Sequence, residues 1–276
     1  MSNKKTKSKL NAAAAASKAK KLLEDARGDG ALSKSSAQTL SIVDLGAEIG
    51  DGLGVDVGDV ESSQVVLVTM MPDDSGSIDS AGNVPLVIDG HNAVLEALSA
   101  SRQAGDIFAH TRYLNGHVLC PFTPVEGATK MTTTNYDARF GTPLYDQAIV
   151  VLGTVIAKSQ EFVNSGVPVR TITLLITDGQ DVHSQRAGAA QVRELVEDMR
   201  AQENHIVAGM GLDNGSTDFR AVFREMGIED RWILTPGSSA SEIRSAFVMF
   251  SQSAAQLGSA AGATALAGNG IGGFVN

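Results

Sequence analysis

The chain has 276 residues, 43% of them hydrophobic, with a net charge of −9. That is enough apolar material for a sizeable core in one large or two small domains, and it excludes a disordered polyelectrolyte. Cys120 is the single cysteine and cannot form an intramolecular disulfide, and every apolar run is broken well before the ~18 residues that cross a bilayer; the expectation is a cytoplasmic protein with no membrane role.

The charge is unevenly placed. Lys4, Lys5, Lys7, Lys9, Lys18, Lys20 and Lys21 all precede the first acid, Glu24, so the remainder carries 15 basic against 31 acidic residues, a net −16. A body that acidic repels nucleic acid. The start has the basic residues of a signal peptide but no uninterrupted apolar stretch. Residues 1–60 mix Lys, Ala, Ser, Asp and Gly, and read as a flexible basic leader with a short helix over Ala12 to Arg27. A solvated arm is the expectation, and weak electrostatic contact with nucleic acid or an acidic protein surface is the alternative.

From Gln64 the texture changes. VVLVTMM is an apolar, β-rich run suited to a strand buried on both faces, and it ends in the loop Asp73-Asp74-Ser75-Gly76-Ser77. A helix follows, with Val94, Leu95 and Leu98 at helical spacing. Two β-like runs separated by Asn115-Gly116 then predict a hairpin. Thr142 to Asn164 reads as a long helix with a broad apolar stripe. The run 171–177 is an apolar strand that stops at Asp178-Gly179 and is expected beside the Val65 strand.

Helix Ala187 to Gln202, strand His205 to Gly211, helix Asp218 to Met226, strand Trp232 to Thr235 and helix Ser239 to Gln256 complete the alternation. The predicted fold class is α/β: an open, doubly wound, mostly parallel sheet with helices on both faces and one antiparallel edge hairpin. The domain spans 64–256. Residues 257–276 form a Gly/Ala-rich flexible tail, with Ile271, Phe274 and Val275 as an alternative docking segment.

In such a sheet the ligand crevice lies beyond the carboxyl ends of the strands. Three segments bring oxygen-bearing side chains there: Asp73, Ser75 and Ser77 after the first strand, Thr142 before the long helix, and Asp178 after the second central strand. Alternate residues of an extended loop point one way, so Asp73, Ser75 and Ser77 converge, with Gly76 allowing a tight turn beneath them. An all-oxygen set suits Mg²⁺, Mn²⁺ or Ca²⁺. With two acids and three neutral hydroxyls the ion stays electron-poor, and an acidic side chain from another molecule is its natural last ligand.

These residues carry a family resemblance. DDSGS, FGTPLYD and ITDGQD supply, in order, the Asp-x-Ser-x-Ser, Thr and Asp of a metal ion-dependent adhesion site, and the chain from Gln64 to about Gln256 resembles the von Willebrand factor A domain family. The resemblance implies that Ser75, Ser77 and Thr142 ligate the ion directly while Asp73 and Asp178 act through water. It also implies a non-enzymatic, magnesium-dependent protein-binding module that takes an Asp or Glu of a protein partner. Intracellular relatives serve as adaptors or subunits of larger machines, including partners of ring ATPases and multi-gene bacterial systems. In family members the last helix can slide when the ion gains a ligand, which would couple the site to Ser239–Gln256.

Two other functions stay open: a metal-dependent hydrolase or phosphoryl-transfer enzyme, for which no general base is marked near the three segments, and a scaffold that binds through its termini. Asp74 and Asp181 are either supports of the site or plain solvated acids. His110, His117, His183 and His205 lack zinc spacing, Cys120 and Trp232 read as packing residues, and no phosphate-binding glycine motif occurs.

Overall fold

The computed structural model describes residues 2–42, 45–60 and 62–257. Strand β1, Val65–Met71, is buried at every position, as its unbroken run of apolar and β-branched residues requires. Beyond it come α4, Gly76–Ser80, and α5, Val84–Ser99, which returns the chain to β2, Ile107–Arg112. The Asn115-Gly116 turn, with Gly116 at φ 95°, reverses the chain into β3, Val118–Pro124. Then follow α6, Leu144–Asn164; β4, Val169–Thr177; α7, Ala189–Ala201; β5, His205–Gly211; α8, Phe219–Glu225; β6, Ile233–Leu234; and α9, Ala240–Leu257.

The strands lie in the order β3-β2-β1-β4-β5-β6, all parallel except the β2–β3 pair. Val65 pairs with Val169 and Met71 with Leu175, so β1 and β4 end side by side. From β1 the chain moves to one side of the sheet, and from β4 it moves to the other. This divergence opens a crevice at the carboxyl ends of the two central strands. Helices α5 and α9 pack on one another across one face of the sheet, and α6 and α7 lie together across the other. Trp232 falls in a 3₁₀ turn just before β6 and is buried, as is Cys120.

The expectation of a flexible leader over residues 1–60 requires correction. The segment forms α1, Ser2–Gly28; α2, Lys34–Leu40; and α3, Leu45–Gly52, and these helices pack on α6 and on one another. Ala19, Leu22, Leu23 and Ala26 of α1 enter the core at i, i+3, i+4 and i+7 spacing, joined by Leu32, Leu40, Leu45, Ile49 and Leu53. The physical reason lies in α6. Seventeen of its 21 residues are buried, so the sheet covers only part of its apolar surface and a second layer must cover the rest.

The layer is tied down by charge as well. The buried Lys158 amine pairs with Glu161 at 2.9 Å and donates to the Val55 carbonyl, while Glu161 also pairs with Lys18 of α1 at 2.7 Å. Breaking one member of such a buried group strands the others, which fixes the register of the layer on α6. The expected tail, with Ile271, Phe274 and Val275, lies outside the described residues apart from Leu257, which ends α9 and is buried. Among the described residues no helix is long and apolar enough to cross a membrane.

Candidate metal centre

At the end of β1 the chain runs through Pro72 to two consecutive buried acids, Asp73 and Asp74. Asp73 is held from several directions. One carboxylate oxygen accepts the Ser75 amide at 2.8 Å, and the other accepts the Thr177 hydroxyl at 2.8 Å and the Asp178 amide at 3.4 Å. Its carbonyl accepts the Tyr136 hydroxyl. The bonds from Thr177 and Asp178 cross from the end of β4 to the end of β1 and lock the two strand ends together.

Ser75, Ser77 and Asp178 meet on this base. The two serine Oγ atoms are 2.9 Å apart, and Asp178 Oδ1 accepts Ser77 Oγ at 2.6 Å and Ser75 Oγ at 3.4 Å. Ser77 is exposed, whereas Ser75 and Asp178 are buried, so the group opens to solvent on the Ser77 side. The local conformation differs from the extended loop expected. Only Ser75 is extended (φ −72°, ψ 159°), and Ser77 sits in the first turn of α4. Gly76 has no positive φ, and a Cβ there would meet nothing within 4 Å, so the turn itself does not demand glycine.

Thr142 stands in the neighbouring loop before α6. Its amide donates to His183 Nδ1 at 2.9 Å, and its carbonyl accepts the amides of Val182 at 3.1 Å and His183 at 3.3 Å. Among the described residues no hydrogen bond joins its hydroxyl to the other four; the structure therefore brings Asp73, Ser75, Ser77 and Asp178 into direct contact and places Thr142 beside them. The loop that carries Thr142 is bridged to Ser75 through Phe140, whose amide donates to the Asp74 carbonyl at 3.1 Å and whose carbonyl accepts the Gly76 amide at 3.2 Å.

Supporting residues that sequence reasoning missed come from distant segments. The Asp146 carboxylate accepts the amides of Gln185, Arg186 and Ala187 at 2.8 to 2.9 Å, which pins the loop after β4 to the start of α6. Asn214 donates to the Asp178 carbonyl at 2.6 Å. The two acids left open earlier now have roles. Asp181 accepts the Tyr145 amide and the Ser184 hydroxyl, and Asp74 accepts the Asn115 amide at 2.9 Å. No local pattern marks these partners, because apart from Ser184 each lies more than thirty residues away.

Electrostatically the site lacks a counter-charge among the described residues. Burial raises the carboxyls of Asp73 and Asp178 above the ordinary carboxylate range, against the lowering effect of the serine and threonine hydrogen bonds. Asp74 is pushed up to about 7, first by burial and then by the nearby Asp73 charge, and its Oδ2 has no partner among the described residues. Among the described residues no lysine, arginine or histidine pairs with any of the three. Two desolvated carboxyls without a cation, Asp73 and Asp178, next to two converging hydroxyls, fit a hard divalent ion. Among the described residues no group of three or more His, Cys, Asp or Glu side chains is placed to hold a metal, so hydroxyls must complete any donor set here.

No family model and no curated protein matches the chain. Solved structures with a similar arrangement include proximal thread matrix protein 1 from the mussel byssus, at 16% identity and a TM-score of 0.46, with 68% of this chain and 47% of that one covered. The pilus adhesin SpaC from Lactobacillus rhamnosus GG, in its open conformation, matches at 11% identity and a TM-score of 0.49 over 71% of this chain and 31% of its own. A von Willebrand factor type A structure from Catenulispora acidiphila matches at 14% identity and a TM-score of 0.47, over 70% of this chain and 43% of its own. The chain thus spans less than half the length of each of these proteins.

Proposed function

We propose that this chain is a divalent-cation-dependent protein-binding domain that captures an Asp or Glu side chain of a partner protein. The observation that carries the reading is the convergence of the Ser75 and Ser77 hydroxyls on the buried Asp178 carboxylate, above the buried Asp73, at the ends of β1 and β4, with no cation paired to either acid among the described residues. The resemblance of the motif to the von Willebrand factor A family assigns Ser75, Ser77 and Thr142 to the ion directly and Asp73 and Asp178 through water. When bound, Mg²⁺ supplies a Lewis-acidic position that accepts an outside carboxylate oxygen. Asp73 braces the two strand ends, the serines set the mouth, and the Asp146 clamp holds the loop of Thr142. With a single cysteine and no marked general base, the chain fits a non-enzymatic cytoplasmic adaptor or subunit of a larger assembly.

Calorimetric titration of Mg²⁺ tests the first half. The wild type is expected to bind one ion, and Ser77→Ala and Asp178→Ala to bind at least about tenfold more weakly, the loss of roughly one charge-assisted contact. Equal isotherms for all three proteins would remove the ion from this site. Affinity capture with wild type in Mg²⁺, wild type in EDTA, and Asp73→Ala in Mg²⁺ tests the second half. A protein retained only in the first condition is the expected result; equal retention in all three would move binding to other surfaces.

A further inference from the structure

Large apolar side chains that stand in solvent are few among the described residues: Ile42, Phe140, Val163, Val182 and Val248. Two of the five flank the candidate metal centre. Phe140 is 49% exposed and Val182, the most exposed of the set, is 72% exposed. Both are fixed in place by their backbones. Phe140 bridges to Ser75 and Gly76, and Val182 donates its amide to the carbonyl of Thr142. Gly141, between Phe140 and Thr142, lies so near the His183 ring that an added Cβ would stand 2.7 Å from Nδ1, so the two loops are in close contact.

Isolated exposed apolar residues carry little meaning; two on adjoining, braced loops beside a polar centre mark an interaction surface. Braced loops lose little entropy on binding, and aromatic residues, phenylalanine among them, are enriched in interfaces relative to the rest of the surface. The charge nearby narrows the partner further. Asp79 lies two residues from Ser77, and Asp213 adjoins the Asn214 that holds Asp178; both are exposed acids that repel additional carboxylates.

Resting on the metal-dependent reading above, we infer that Phe140 and Val182 form an apolar recognition rim, so that the partner presents one acid flanked by apolar side chains and not a run of acids. The acid supplies attachment to the ion, and the flanking residues supply selectivity.

The test uses the full chain and a displayed library of short peptides with a fixed central Asp and random flanks, bound in Mg²⁺ and released with EDTA. The expected result is enrichment of Leu, Ile, Met or Phe within two positions of the Asp. The double variant Phe140→Ser/Val182→Ser, at two exposed positions, is expected to bind Mg²⁺ calorimetrically like the wild type and still to retain Asp peptides. It loses the apolar enrichment and binds the best wild-type peptide roughly tenfold or more weakly. Random or acidic flanks in the wild-type selection, or unchanged enrichment in the double variant, overturn the rim while leaving the metal reading intact. If no peptide is released by EDTA and Asp73→Ala selects as the wild type does, the metal reading fails and the rim falls with it.

Discussion

Gly50 of α3 lies against Ala15 of α1 at a separation that leaves no room for a side chain: a Cβ on Gly50 would stand 2.6 Å from the Ala15 carbonyl carbon and 2.7 Å from its oxygen. Backbone cannot swing aside as a flexible side chain can. Gly50→Val is therefore expected to push α1 off α3 and to cost about 2 kcal/mol or more, at the upper end of ordinary overpacking. Urea unfolding of variant and wild type checks this. A midpoint unchanged by the substitution would show that residues 1–60 are not packed as described.

That contact bears on what the chain discloses before folding. From Val65 onward the elements other than α4 were legible, because strands such as β1 and β4 are unbroken apolar runs and helices such as α5 and α6 carry a sustained helical apolar stripe. The motif residues were legible because Asp73, Ser75 and Ser77 are close in sequence. In the N-terminal layer the helix over Ala12 to Arg27 was legible but its packing was not, because α1 buries two alanines, Ala19 and Ala26, beside Leu22 and Leu23, and alanine contributes little to a hydrophobic pattern. Its signal lay elsewhere, in Val150 to Ala157 of α6, a stretch apolar around most of the helix that one sheet face cannot bury. The Asp146 and Asn214 supports were invisible for another reason: each acts on backbone, and backbone partners leave no mark on residue type.

Asp146 is expected to control the site without touching it. Its carboxylate receives three amide donors from 185–187, and that loop in turn fixes His183 and Val182 against Thr142. Asp146→Ala leaves three amides unpaired, with an expected stability loss of roughly 2 to 4 kcal/mol. It also frees the Thr142 loop, so Mg²⁺ affinity falls although no proposed ligand has changed. Asp146→Asn retains one acceptor oxygen and is expected to recover part of both losses. Calorimetry alongside thermal unfolding separates the two effects, and full Mg²⁺ affinity in Asp146→Ala would break the proposed linkage.

Three core histidines set an acid limit. Burial depresses His91 to about 4, His110 to about 3 and His205 to about 4, and each ring is neutral and hydrogen-bonded, to Thr111, the Cys120 carbonyl and Thr171 respectively. In the unfolded chain they protonate near 6.5. The unfolded state then binds more protons between about 6.5 and 4, so the stability that these rings contribute is complete above pH 6.5 and declines as pH falls. The slope approaches about 1.4 kcal/mol per histidine per pH unit. Urea unfolding at pH 7 and pH 5 is expected to show the loss, with a shallower slope in His91→Gln; parallel slopes for the two proteins would mean that His91 does not titrate on unfolding.

Asp74 works in the opposite direction. Its folded carboxyl is raised to about 7 from an unfolded value near 4, so the folded state holds the extra proton across that interval and stability falls as pH rises through it. Asp74→Asn removes the charge and keeps an oxygen for the Asn115 amide, and its new amide group faces the side of Oδ2, which has no partner to lose. In EDTA the variant is expected to melt above the wild type at pH 8, with the gap closing toward pH 4, where the wild-type carboxyl is protonated as well. If a divalent ion sits on the neighbouring Asp73 group, added Mg²⁺ offsets the same charge and narrows the gap at pH 8. Scanning calorimetry at the two pH values, with and without Mg²⁺, distinguishes the cases. A gap that is independent of pH would mean that the Asp74 carboxyl titrates in the folded protein as it does in the unfolded chain, and a gap that ignores Mg²⁺ would place the ion too far from Asp74 to share its field.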